Sequence, residues 1–98
     1  MEIKTKLTSA GGSVYTEANG QILAEISWIN GQHEGYIIAD HTRVDDSLRG
    51  KGAGIKLLNT LIEFAREKQI KIQPVCPFIV AMFDRSPDFE DLRYKGNS

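Results

Sequence analysis

The sequence predicts an α+β fold: a mostly antiparallel sheet with one parallel strand pair, one main amphipathic helix and short C-terminal helices. Three observations predict it. The first half alternates with period two and is broken by Asn-Gly turns, the middle shifts to an apolar period of three and four, and a short β-branched run follows. Ninety-eight residues, 41% of them hydrophobic, describe a single domain over 1–98 with one modest core.

The stretch EIKTKLT (2–8) alternates through Ile3, Thr5 and Leu7 as a half-buried strand, and Ser9 to Gly12 are read as a turn. SVYTEA (13–18) and QILAEISWIN (21–30) flank Asn19-Gly20, the dipeptide that most readily takes two successive positive φ values, so the two form a hairpin. Beyond a second turn at Asn30-Gly31, GYIIADHTRV (35–44) is rich in β-branched and aromatic residues and continues the meander. Ile55, Leu58, Leu61, Ile62 and Ala65 then form one stripe of a helix about 15 residues long, its N-terminus in the glycine stretch. IKIQPV (70–75) is a strand that most easily lies parallel to the one before the helix. The following run, FIVAMFD, is too apolar for periodicity to separate strand from helix. Pro77 decides for a helix, because it suits the first helical turn and would spoil a ladder. Ser86-Pro87-Asp88 reads as another helix start with a capping hydroxyl, and Lys95 to Ser98 as a loose tail.

A formal net charge of -1 provides no basic field, so nucleic acid is not an expected partner. The N-terminus lacks an apolar leader core, and no apolar run approaches the roughly 18 residues of a membrane span. Cys76 is the lone cysteine, so the fold needs no internal disulfide. A cytoplasmic protein without membrane contact is expected.

The stretch Arg49-Gly50-Lys51-Gly52-Ala53-Gly54 sits between a strand and a helix. Glycines let a ligand approach the backbone, and a helix start offers free N–H donors with the positive end of the dipole. Arg49, Lys51 and Lys56 add charge. A phosphate or pyrophosphate fits; so does a flexible connection. A P-loop is excluded because Ile55-Lys56-Leu57 stands where Gly-Lys-Ser/Thr would be needed, and a dinucleotide fingerprint because Ile55 replaces its third glycine.

Arg49-x-x-Gly52-x-Gly54, leading into an amphipathic helix, resembles the Arg/Gln-x-x-Gly-x-Gly/Ala motif of the GNAT superfamily of N-acetyltransferases. His41-Thr-x-Val44 before it and Cys76-Pro77-Phe78 after the helix resemble a subgroup of very small members, and the likeness covers nearly the whole chain. The resemblance implies transfer of acetyl from acetyl-coenzyme A (acetyl-CoA) to an amine, without a metal. It implies that residues 49 to 54 hold the pyrophosphate and that the segment at Arg43 and Val44 pairs with the pantetheine arm. The parallel strands, ending near Val44 and Val75, would splay around the thioester.

Acetyl transfer needs a neutral amine, a polarised carbonyl and a proton for the departing thiolate. His41 is the candidate base, against the alternative of a hydrogen-bonded structural histidine. Cys76 would stand at a helix N-terminus, where the dipole favours thiolate, against the alternative of an inert buried cysteine. Two routes are open: direct attack assisted by His41, or an acetyl-Cys76 intermediate with His41 as its base. The chain departs from full-size members in lacking helices between the first strands and in having Pro77-Phe78 where many carry a tyrosine acid. Trp28, Tyr36, Phe78 and Phe83 are either core or acceptor groove. A non-catalytic acyl-CoA-binding module is the alternative function, and an interaction domain with a vestigial loop is the plainest one. The residues leave the amine and the oligomeric state open.

Overall fold

The computed structural model describes residues 1–96, in which five strands form one sheet in the order β1 (Lys4–Leu7), β2 (Gly11–Ala18), β3 (Gln21–Asn30), β4 (Tyr36–Val44), β5 (Lys71–Pro74). β1 to β4 pair antiparallel, and β5 lies parallel to β4. The hairpin turn has Asn19 at φ 54 and Gly20 at φ 77, the two positive values that Asn-Gly supplies without strain.

The expected turn at Ser9 to Gly12 is shorter, because Gly11 and Gly12 belong to β2. A Cβ on Gly11 would lie 2.1 Å from the Trp28 carbonyl oxygen, and one on Gly12 2.7 Å from the Trp28 ring. These glycines are therefore close-approach residues of a strand rather than a flexible turn. The turn itself is held by Thr8 Oγ1, which accepts from the N–H groups of Ala10 and Gly11.

The main helix, α1 (Ala53–Lys68), buries Leu57, Leu58, Leu61, Ile62 and Ala65. Ile55 was expected on this stripe but is 49% exposed. At 100° per residue it lies at the stripe's edge, whose centre runs through Leu57, Leu58 and Leu61. A second helix, α2 (Pro77–Arg85), starts with Pro77 in its first turn as expected, and its Ile79 and Phe83 join the same core as α1. Beyond it, Pro87–Leu92 is a 3-10 helix, and the Ser86 hydroxyl makes no capping bond. Of the expected loose tail, Lys95 pairs with Glu90 at 2.9 Å, and just ahead of it the Tyr94 N–H donates to the Ile72 carbonyl at 2.8 Å. Residues 97 and 98 of that expected tail lie outside the described part.

Trp28 and Phe83 are core residues, 4% and 1% exposed, and Tyr36 is buried as well. The register between β3 and β4 contains one irregularity that positions the site. Ser27 pairs with His41 and Trp28 with Ala39, so Asp40 is an extra residue in β4, a β-bulge. Val14, Ala24, Ile26 and Ala39 face the helices and are fully buried. The opposite face carries Tyr15, Glu25, Ser27, Ile29, His41 and Arg43, none of them buried.

Candidate active site

The chain leaves β4 through a 3-10 turn, Asp46–Leu48, capped by the Asp45 carboxylate, which accepts from Ser47 N–H at 3.0 Å and Ser47 Oγ at 2.6 Å. The Ser47 hydroxyl and then its N–H hold the Asp45 carboxyl below its usual range. Gly50 and Gly52 follow at φ 78 and 73, a conformation that other residues enter only at a cost. Gly52 caps α1 without any side-chain hydrogen bond, and no acid stands in the first turn.

Among the described residues, no protein acceptor reaches the N–H groups of Gly50, Gly52, Ala53, Gly54 or Ile55. A helix start with free donors and no balancing carboxylate can receive an anion. These residues border a shallow cavity of about 270 Å³ that Val44 and Phe78 also line. Arg49 lines it and is exposed, held 2.9 Å from Asp46, and Lys51, between two lining glycines, is exposed as well. The residues present therefore fit a pyrophosphate.

The second part of the site lies where β4 and β5 separate. β4 runs to Val44 and β5 to Pro74, in line with the expected ends near Val44 and Val75, but their pairing stops at Ala39 and Pro74, where the N–H groups of Val75 and Cys76 both donate to the Ala39 carbonyl. Pro74 lacks the N–H that a longer ladder would need, and the bulge at Asp40 bends β4 away. From Asp40 to Val44 the edge of β4 toward β5 carries no strand partner among the described residues.

Cys76 stands at this parting as the residue before α2, half-buried, its Sγ donating to Thr42 Oγ1 at 3.3 Å. His41 does not join it. The bulge sends Thr42 to the helix-covered face, opposite Ile26, and His41 to the open face, opposite Ser27. Arg43 shares the open face and donates to the Ile22 carbonyl at 3.2 Å, whereas Val44 lines the anion cavity. Two neighbours of the site were missed in the sequence, Thr42 and Phe78 as a wall; a Cβ on Gly54 would lie 3.0 Å from the Phe78 ring. Strict alternation would have paired His41 with Cys76, and nothing in the letters marks the bulge.

A second cavity, about 520 Å³, is at the other end of the sheet, lined by Leu7, Trp28, Phe64 and Ile70 among others. It lies by the C-terminus of α1 and offers none of the free helix-start donors.

A free-donor helix start beside parting parallel strands defines the class: an α+β domain of the acetyltransferase type. The sequence matches the model of the GCN5-related N-acetyltransferase family over residues 13–92, and the chain belongs to that family. It is similar to a GCN5-like putative N-acetyltransferase from Staphylococcus aureus, at 30% identity over 96% of this chain and 92% of that one, with a TM-score of 0.70. A ribosomal-protein-alanine N-acetyltransferase from Brucella melitensis biovar Abortus shares the fold at 18% identity, covering 93% of this chain and 67% of that one, with a TM-score of 0.61. So does AAC(6')-Iy, solved with a bisubstrate analogue of coenzyme A, at 10% identity over 93% and 66%, with a TM-score of 0.54. No curated protein sequence matches the chain.

Proposed function

We propose that the protein transfers an acetyl group from acetyl-CoA to an amine, in a cytoplasmic setting and without a metal. The observation that carries this reading is the set of unpaired N–H groups of Gly50 and of Gly52 to Ile55, beside a cavity that Val44 and Phe78 also line. The pyrophosphate would rest on that run, with Arg49 and Lys51 beside it. The unpaired edge of β4 from Asp40 to Val44, including the backbone of Arg43 and Val44, would accept the amide-rich pantetheine arm as a strand would. The fold neighbour bound to a coenzyme A analogue supports the donor.

His41 and Cys76 stand on opposite faces of β4, so this reading gives them separate tasks. The amine approaches from the open face, and His41 takes its proton as nitrogen attacks the thioester carbonyl carbon. As the carbon–sulfur bond breaks, Cys76 gives its thiol proton to the departing thiolate, the task a tyrosine performs in larger relatives. One N–C bond forms and one C–S bond breaks, and the proton lost by the amine balances the one gained by coenzyme A.

Titration with coenzyme A, followed through backbone amide shifts, tests the donor site; the amides of Arg49 to Gly54 are expected to move first. Release of free thiol from acetyl-CoA in the presence of an amine panel tests transfer. Shifts without thiol release from any amine would replace the enzyme with an acyl-CoA-binding module.

A further inference from the structure

We propose that Thr42 is a positioning residue for Cys76, holding the thiol in the strand parting and stabilising the thiolate left when its proton is spent. This rests on the acetyltransferase reading above. Cys76 Sγ and Thr42 Oγ1 are 3.3 Å apart, although 34 positions separate the residues in sequence. The contact depends on the bulge at Asp40, which turns Thr42 to the helix-covered face. There its β-branched side chain has restricted χ1 freedom and sits opposite the fully buried Ile26.

A hydroxyl is both donor and acceptor, and the two states of Cys76 use both capacities. Before transfer, Thr42 Oγ1 accepts the S–H proton and keeps the sulfur directed at the parting. When the S–H bond breaks and the proton passes to the thiolate of coenzyme A, the Thr42 O–H rotates and donates to the Cys76 thiolate. That second bond is charge-assisted and is the stronger of the two. Water returns a proton to Cys76 after the product leaves. A valine has the same branched shape but offers neither bond.

The test uses Thr42→Val and Thr42→Ser with two readouts. In acetyl transfer, Thr42→Val is expected to lower kcat about tenfold while KM for acetyl-CoA stays within about twofold, since one charge-assisted bond is lost and the anion seat is untouched. Thr42→Ser, which keeps the hydroxyl, is expected to recover most of that loss. On the protein without acetyl-CoA, iodoacetamide labelling of Cys76 at one near-neutral pH is expected to slow at least about threefold in Thr42→Val and to return in Thr42→Ser. Unchanged or faster labelling in Thr42→Val overturns the proposal, as does a serine variant no better than valine. If the wild type transfers no acetyl group, the acetyltransferase reading fails, and the labelling rates still decide whether Thr42 governs the thiol. Thr42→Ala replaces the valine variant if the latter fails to give a native amide spectrum, with the same outcomes.

Discussion

The ring of Tyr94 lies on that of Tyr36 with centroids 3.7 Å apart and planes 2° from parallel, fastening the C-terminal segment to the start of β4. His33 Nε2 stands 3.1 Å from the Tyr94 hydroxyl at the edge of this stack. Desolvation, with the neighbouring Tyr36 phenol adding to it, raises the Tyr94 phenol above its ordinary value of 10.0. The folded state thus favours the protonated phenol. Its contribution is fully present below the unfolded value and is lost as pH rises through the higher folded one. Denaturant melts above pH 10 are expected to show the wild type losing stability faster with pH than Tyr94→Phe, which has no phenol to ionise there. Parallel pH profiles for the two proteins would remove this role.

Gly52 at φ 73 is the cap of α1 and, in the proposed function, the centre of the pyrophosphate seat. Gly52→Ala is expected to destabilise the fold by about 1 kcal/mol, the cost of a left-handed conformation for a residue with a Cβ. Affinity for coenzyme A is expected to fall further than that, by more than about tenfold, because the methyl group would stand where the backbone must meet the ligand closely. Calorimetry of coenzyme A binding beside a thermal melt separates the two losses.

Arg49 is largely exposed, and so is its partner Asp46. Such a pair contributes little to folding. Arg49→Ala is therefore expected to leave the melting temperature unchanged and to weaken coenzyme A binding. The difference from wild type should shrink as salt is added, because exposed charge is screened. A salt-independent loss would place Arg49 outside the phosphate contact.

His41→Gln tests the division of tasks across β4. It is expected to lower kcat for amine acetylation by a factor of about one hundred, the lower end of general base catalysis. Iodoacetamide labelling of Cys76 should be unaffected, since the two side chains occupy opposite faces. Slower labelling in this variant would show that the histidine reaches the thiol after all.

Much of the fold was legible because local chemistry agrees with global packing. Asn19-Gly20 dictates a hairpin, the stripe from Leu57 to Ala65 dictates a helix with one buried side, and Pro77 fixes where α2 begins. The helix start in the glycine stretch was legible for the same reason: Gly50 and Gly52 take the positive φ values that the connection into α1 requires. What escaped the reading depends on contacts between distant residues. Gly11 and Gly12 look like a turn until Trp28 occupies the space above them. The Ser86 hydroxyl looks like a cap, but the segment after it stays a six-residue 3-10 helix. The partner of Cys76 is decided by a register shift, which belongs to two strands at once and is written in neither.

That shift has a consequence for insertions and deletions. Removing Asp40 alone would restore unbroken pairing between β3 and β4 and leave His41 opposite Ser27 and Thr42 opposite Ile26, each on the face it already occupies. A strand of the same length paired without the bulge would instead set His41 opposite Ile26, turning the imidazole to the cysteine's face and the Thr42 hydroxyl to the open one. In this small domain, which side chain sees the thiol is set by strand register as much as by residue identity.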